Sequence, residues 1–376
     1  MIVKNIQVTD LNSSIQLARA LAYIPGADTT ITLEAKESKL HMLANTAGIS
    51  IKNAIPATIE KPGYILVDMN HLSSIYLKDK ELSLSADKEE IKIKCGKSSY
   101  KLTAIAGDPH IVKIPEPESS TVQIAISTLK KAIESIWFRQ EEGSGDLRLI
   151  IGNGKLIAET SDNYSGAIWQ MPMKGLKNKP FRITIKKQTM SVLIDSFNST
   201  DIVWIDVENN KPSQNLRLYT SNSLISVPIA NESTLTDTHG ILKSRLSQLK
   251  LKCSFQVDSK EICEAAKSAS SVIEEIARTK SVQTYLTIKK DKTLEISTEG
   301  DVGSFSTTIG LLEYKPNDNK DIHKICVLSK HLKDLVGLAA KTGKAIDVEI
   351  WGKGIILLKT TETNSEFKAT YAFPLI

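Results

Sequence analysis

Along VQIAISTLKKAIESIW, Val122 to Trp137, two apolar periods follow one another. The opening residues alternate as a short strand does. A Ser-Thr pair then caps a stretch whose Leu129, Ala132, Ile133 and Ile136 fall on one face at a period of about 3.6, which predicts a helix. LRLIIGNGKLIAETS and SGAIWQMPM return to alternation, and the GNG at Gly152–Gly154 marks a hairpin turn.

The same order recurs along the chain. MIVKNIQVTDLNSSIQLARALAYI opens a first copy. YILVDMNHLSSIYLK is strand, Asp cap and helix, with LSLSADKEEIKIKCGKSSYKLTAIA supplying its strands. FRITIKKQTMSVLIDSF, CSFQVDSKEICEAAKSAS and HKICVLSKHLKDLVGLAAKTG each begin a further copy. The reading is an α+β chain of six β-α-β-β-β units. Gly107–Ser120 and Asn231–Lys252 read as linkers, so the units pair into three domains: 1–118, 119–235 and 250–376. Two units per domain let two sheets pack on one side and two helices lie together on the other.

Bulk properties narrow the class. The 376 residues are 41% hydrophobic and 24% charged, ordinary for a folded water-facing protein. No apolar run approaches the ~20 residues that span a bilayer, and the N-terminus has no signal-peptide apolar stretch, so a cytoplasmic protein without membrane contact is expected. Cys95, Cys253, Cys263 and Cys326 have neither C-x-x-C spacing nor a histidine at zinc-site distance, so reduced thiols and no metal are expected. The net charge of +5 permits an acidic partner without demanding one.

Several short patterns bear on chemistry. CGKS, Cys95 to Ser98, matches the end of a phosphate-binding loop, but Ile91 stands where the upstream glycine is required, so it reads as strand and turn. No ATPase is visible. Asp206 and Glu208, near Asp201, share a strand face that could hold a cation; a solvated strand end is the plainer reading. His41, His71, His110, His239, His323 and His331 form no catalytic or metal-binding pattern in sequence.

Three tandem doubled units, closed by a strand ending in Phe373-Pro374-Leu375, resemble the DNA sliding clamp family, in particular the bacterial DNA polymerase III beta subunit. The resemblance spans nearly the whole chain and rests on architecture, since clamps carry no catalytic motif. It implies a non-enzymatic processivity factor without cofactor. Two subunits would join head to tail into a six-domain ring, helices lining the hole and sheets outside. Such a homodimer encircles double-stranded DNA without reading its sequence, tethers DNA polymerase, and depends on an ATP-dependent clamp loader. The cations expected to face DNA are Arg19, Lys78, Lys130, Lys131, Arg139, Lys186, Lys187, Lys260, Lys267, Arg278, Lys330, Lys333 and Lys341. Any one lysine is more simply a solvated helix residue; their recurrence on helices of the second and third domains favours function.

The resemblance also explains the apolar ending YAFPLI. In bacterial clamps the last strand lines a pocket that receives an apolar peptide motif from partner proteins. Here Phe373, Pro374, Leu375 and Ile376 would form one wall, Thr160, Asp162 and Tyr164 the opposite wall, and Leu235 and Ile241 the floor. The plainer reading makes Phe373 and Leu375 core residues of a last strand. The clamp signature T-D-G-H-R-L is replaced by Ser161-Asp162-Asn163-Tyr164-Ser165-Gly166, and the family's arginine near the C-terminus is missing. That divergence suits a phage or another divergent replicon with its own clients. Two other classes compete: a clamp-fold scaffold that has lost the ring and DNA, and an enzyme with a site assembled from scattered residues.

Overall fold

The computed structural model describes residues 1–22, 29–46, 48–75, 77, 80–118, 121–136, 146–161, 166–173, 181–186, 189, 197, 201–210, 213–229, 238–271, 283–300, 303–317, 323–352, 354–361 and 368–374. Backbone contacts gather these into two bodies, residues 1–130 with 185–231 and residues 131–184 with 232–376.

The repeated order is present in five of the six units and in the strands of the fourth. The first unit is β1 (Ile2–Gln7), α1 (Val8–Ala22), β2 (Thr30–Lys36), β3 (Lys39–Thr46) and β4 (Ile49–Pro56), with an added strand β5 (Thr58–Lys61). The second is β6 (Gly63–Asp68), α2 (Met69–Ser73), β7 (Glu81–Ala86), β8 (Glu90–Cys95) and β9 (Ser98–Thr103). The third is β10 (Val122–Ala125), α3 (Ile126–Ile136), β11 (Leu147–Gly152), β12 (Lys155–Ser161) and β13 (Gly166–Pro172). The fourth has β14 (Phe181–Ile185), β15 (Ile202–Asn210), β16 (Ser213–Tyr219) and β17 (Ser223–Pro228). Its expected helix falls almost wholly outside the described residues. After α4 (Thr238–Ser247), the fifth unit is β18 (Leu251–Asp258), α5 (Ser259–Ser271), β19 (Gln283–Ile288), β20 (Thr293–Gly300) and β21 (Gly303–Pro316). The sixth is β22 (His323–Leu328), α6 (Ser329–Thr342), β23 (Ala345–Trp351), β24 (Ile355–Thr361) and β25 (Lys368–Pro374).

Local chemistry sets these boundaries. Asp68 and Asp258 hold matching places at a strand end. Each accepts hydrogen bonds from the first backbone N–H groups of its helix, at His71 for Asp68 and at Lys260 and Glu261 for Asp258. Burial works to raise the Asp68 pKa, but the Thr29 hydroxyl and the His71 and Asn70 N–H groups together hold it below the ordinary value. The GNG turn is a two-residue hairpin: Gly152 pairs with Lys155, and Asn153 and Gly154 both take positive φ, 51° and 71°. Cys95 pairs with Ser98 around Gly96 and Lys97, so CGKS is a second hairpin turn.

In the first body the strands form two sheets, β5-β1-β7-β8-β9 and β10-β15-β16-β17-β4-β3-β2-β6. The second sheet is continuous because β17 pairs with β4, from Ser223↔Asn53 to Ser226↔Ser50. Asn53 anchors that joint: it accepts from Ser223 Oγ at 2.6 Å and donates to Ser14 Oγ on α1 at 2.5 Å. Val112, from the stretch read as a linker, is buried with Leu43, Tyr219 and Leu224 over the same joint. In the second body one sheet runs β14-β11-β12-β13-β25-β24-β23-β18-β21-β20-β19-β22. There α5 and α6 pack together, as α1 and α2 do in the first body. Ile262, Ala265, Ala266 and Ala269 of α5 and Leu332, Leu335, Val336 and Ala339 of α6 are buried.

Three features depart from expectation. β5 is an extra strand, β21 runs six residues beyond the expected TTIG ending, and the Asn231–Lys252 linker contains α4. The Asp206–Glu208 pair is no solvated strand end. Arg217, opposite Asp206 on β16, donates to both Asp206 oxygens at 2.7 and 3.1 Å and to Glu208 Oε1 at 3.2 Å. Tyr219 adds an O–H bond to Asp206 at 2.9 Å. The negative charge that would have attracted a cation is already matched by a guanidinium.

Two outcomes follow for stability. Arg217→Ala leaves the buried Asp206 carboxylate without its counter-charge and should cost about 3–5 kcal/mol by the usual penalty for breaking a buried pair. Arg217→Ala with Asp206→Asn should recover part of that loss in chemical denaturation. The β2–β3 turn places Glu37 and Ser38 both at positive φ, 53° and 59°. Ser38→Gly relieves that backbone and should gain about 0.5–1 kcal/mol in the same measurement.

Candidate functional site

The site is built on the last strand. β25 is central, bonded on one side to β24 from Ile355↔Pro374 to Thr361↔Lys368, and on the other to β13 from Gly166↔Ala372 to Gln170↔Lys368. Tyr371 and Ala369 are fully buried, and the Tyr371 hydroxyl donates at 2.9 Å to the Ser135 carbonyl in the last turn of α3. That bond fixes the register of β25 against its neighbours. The tail is apolar first because it is the middle of a sheet.

Past Ala372 the geometry changes. β13 begins at Gly166, so Phe373 and Pro374 run on bonded to β24 alone among the described residues. Pro374 has no N–H to offer a further strand. α4 packs against β12 and β13. β13 thus has β25 as its sheet neighbour and α4 packed against it.

Individual residues place as follows. Thr160 is buried, and its hydroxyl donates to the Asp146 carbonyl at 3.0 Å, bracing the hairpin. Next to it, Arg148 and Glu159 face each other across β11 and β12 in a buried ion pair at 2.8 Å, with 9% and 1% of their side chains exposed. Ile241 lies on α4, and Phe373 and Pro374 on β25, by their backbone. Asp162, Tyr164, Leu235, Leu375 and Ile376 lie outside the described residues.

The expected DNA-facing cations divide similarly. Lys260 and Lys267 are exposed on α5 two turns apart, with the exposed Glu261 and Glu264 between them. Lys341 is exposed in the last turn of α6, and Lys333 is half-buried on the same helix. Lys131 is half-buried on α3. Lys130 spends its ammonium on the Phe197 carbonyl at 2.7 Å, which makes it a brace in its own body. Lys186 is exposed just after β14. Arg19 and Lys330 are placed on α1 and α6 by backbone; Lys78, Arg139, Lys187 and Arg278 lie outside the described residues. Among the described residues no group of three or more His, Cys, Asp or Glu could hold a metal ion. No helix there is long and apolar enough to cross a membrane.

Sequence reading missed α4, the Arg148–Glu159 pair and the Tyr371 anchor. α4 did leave a signal, since Leu242, Leu246 and Leu249 recur at helical spacing. The Arg148–Glu159 pairing becomes visible only once the GNG turn fixes the register of β11 on β12.

No protein-family model matches the sequence, and no curated protein matches it. Solved structures do match over the whole chain. The DNA polymerase sliding clamp from Bacillus subtilis superposes with a TM-score of 0.83 at 18% identity, covering 100% of this chain and 99% of that one. The DNA polymerase III beta subunit from Thermotoga maritima gives 0.82 at 12% identity with the same coverage. A sliding clamp from Pseudomonas aeruginosa bound to griselimycin gives 0.81 at 14% identity, again covering 100% and 99%. From its first unit to its last strand, the chain has the fold of the bacterial DNA polymerase III beta subunit sliding clamps.

Proposed function

We propose that this chain is a DNA polymerase processivity factor, a ring-shaped sliding clamp that encircles duplex DNA and tethers a polymerase through the groove at the end of β25. One observation carries the reading beyond the fold. The last strands of units one and four pair as β4 with β17, and those of units three and six as β13 with β25. The last strands of units two and five are left over: β9 and the Gly303–Gly310 run of β21 each have a single strand neighbour among the described residues.

Unpaired edges of this length invite pairing with another chain. A joint between β9 of one copy and β21 of the next repeats the two joints inside the chain. It is heterologous, so it closes into a ring when the rotation per unit divides the circle. Six domains, bounded at 1–118, 119–235 and 250–376 in each of two copies, close at about 60° each. Ile105, just after β9, and Leu312, on β21, are 37% and 60% exposed, apolar surface of the kind such a joint would bury.

In this reading the protein catalyses nothing. It holds DNA by topology, and its helix lysines attract phosphates without reading bases. An ATP-driven loader opens the ring, and the homodimer works in the cytoplasm. The divergent hairpin loop suits a phage or other divergent replicon. The scaffold alternative draws on α5, whose exposed lysines are balanced by Glu261 and Glu264.

Sedimentation at micromolar concentration should give a dimer near twice 41.3 kDa; a monomer or trimer contradicts the six-domain ring. After loading, the dimer should stay on nicked circular DNA and run off the linearised form, whereas a scaffold would treat both alike. Lys186→Glu, Lys267→Glu and Lys341→Glu together should weaken DNA association equally on unrelated sequences without unfolding the protein. Deleting Leu375 and Ile376 should leave the dimer intact. It should weaken a titrated peptide from the cognate polymerase by about 2–3 kcal/mol, the scale of lost apolar anchors. Unchanged affinity would return the tail to a purely structural role.

A further inference from the structure

The stretch read as the first linker follows one line across the eight-stranded sheet. The strand registers align Thr32, Leu43, Lys52, Leu224, Tyr219 and Trp204 in a single cross-strand row, from β2 to β15. The chain from Gly107 to Glu118 forms neither helix nor strand, yet it docks on that row. His110 donates its backbone N–H to the buried Thr32 hydroxyl at 3.0 Å, and its ring Nδ1 lies 3.4 Å from the same oxygen. Val112 is buried with Leu43, Leu224 and Tyr219, and Ile114 and Trp204 pack on the same cluster. Between these anchors Ile111 and Lys113 are exposed, Ile111 by 81%.

The row crosses the β4–β17 joint between Lys52 and Leu224. Leu43 lies on one side of that joint and Leu224 on the other, so Val112 is a plug shared by the two halves of the sheet. The opposite face has its own clasp. Asn53 pairs with Ser223 one position along, and alternation turns it away from the linker, toward Ser14 of α1. The two clasps differ in kind. Asn53 belongs to a strand held by ladder bonds on both sides, whereas the linker adds no strand to the sheet. A segment fixed by few buried groups opens at a fraction of the free energy of global unfolding. Pro109, Pro115 and Pro117 fix φ along it, so the undocked chain has fewer conformations to lose when it docks again.

We infer that Gly107–Ile114 is a releasable strap. Docked, it staples β4 to β17 through His110 and Val112; undocked, it leaves the joint free to bend about its Asn53 side while the rest of the body stays folded. In the ring reading this joint lies between the first and second domains, so the strap sets how stiffly those domains are held. The inference itself concerns one chain and stands without a ring.

The test is hydrogen exchange by mass spectrometry on the full-length protein and on His110→Ala with Val112→Ser. Both substitutions fall outside every strand, so they remove no ladder bond. Amides of β4 and β17 should exchange about tenfold faster in the variant, while those of β7 and β8 in the same body and of β18 in the other change by less than about twofold. No acceleration at β4 and β17 overturns the inference. Equal acceleration of β7 and β8 overturns it as well, because His110 and Val112 would then support the whole body and not the joint. A second measurement needs no variant. Trypsin should cut the wild type after the exposed Lys113 at a rate that low urea barely changes, the mark of a local opening. Cleavage that appears only as the whole protein unfolds would show that the strap does not release by itself.

Discussion

An unpaired β-strand edge has to be met by something, and the architecture of this chain follows from how its edges are met. Each unit ends on a strand whose outer N–H and C=O groups have no partner within the unit. Two pairs of these strands meet inside the chain, β4 with β17 and β13 with β25, and turn short sheets into runs of eight and twelve strands. The compact bodies follow these joints and not the repeat. The expected middle domain gives one set of strands, β10 and β15 to β17, to the first body, and β11 to β13 with nearly all of β14 to the second. Sheet continuity outweighs sequence adjacency because alternate residues of a joint each exchange a pair of ladder bonds, whereas a linker adds only its own packing. Here even the linker contributes, through Val112.

Buried polar groups within the sheets pin the register. Asp206 sits opposite Arg217, Arg148 opposite Glu159, and Thr284 opposite Thr298. Thr284 hydroxyl also bonds Ser329 at the start of α6 at 2.7 Å, joining two strands and a helix in one buried chain of hydroxyls. A slip of one residue would turn every side chain of a strand to the other face and leave these groups unsatisfied in an apolar interior. Hydrophobic alternation alone penalises such a slip; a buried charge without its partner penalises it more steeply. In a protein built from repeats that resemble one another, polar pairs that differ from joint to joint also disfavour pairing the wrong copies.

The six units were legible because each changes apolar period at the same place, from alternation to a helical stripe and back. Even the capping aspartates, Asp68 and Asp258, recur in register. What the sequence hid was polar and tertiary. Arg217 reads as an ordinary charged strand residue until β16 is laid on β15, and only then does it answer the Asp206–Glu208 pair. α4 was hidden by its own charges: polar residues surround its leucine row, so the stretch looks like a linker. Part of the apolar tail is internal, since Tyr371 is a core residue bonded to α3. Past Ala372 the strand runs on without β13, whose pairing begins at Gly166.

Charge is distributed differently on α5 and on α4. A ring that grips DNA by enclosure gains nothing from strong phosphate contacts, because each would have to break at every step along the duplex. The exposed face of α5 fits that demand: Glu261 and Glu264 offset Lys260 and Lys267, leaving a polar surface with little net pull. Lys341 and Lys186 then add exposed positive charge. α4 is the opposite case, with uncompensated cations beside half-exposed leucines. The chain's modest net charge of +5 is thus spread unevenly, diluted along a helix expected to face DNA and concentrated on α4 beside half-buried leucines.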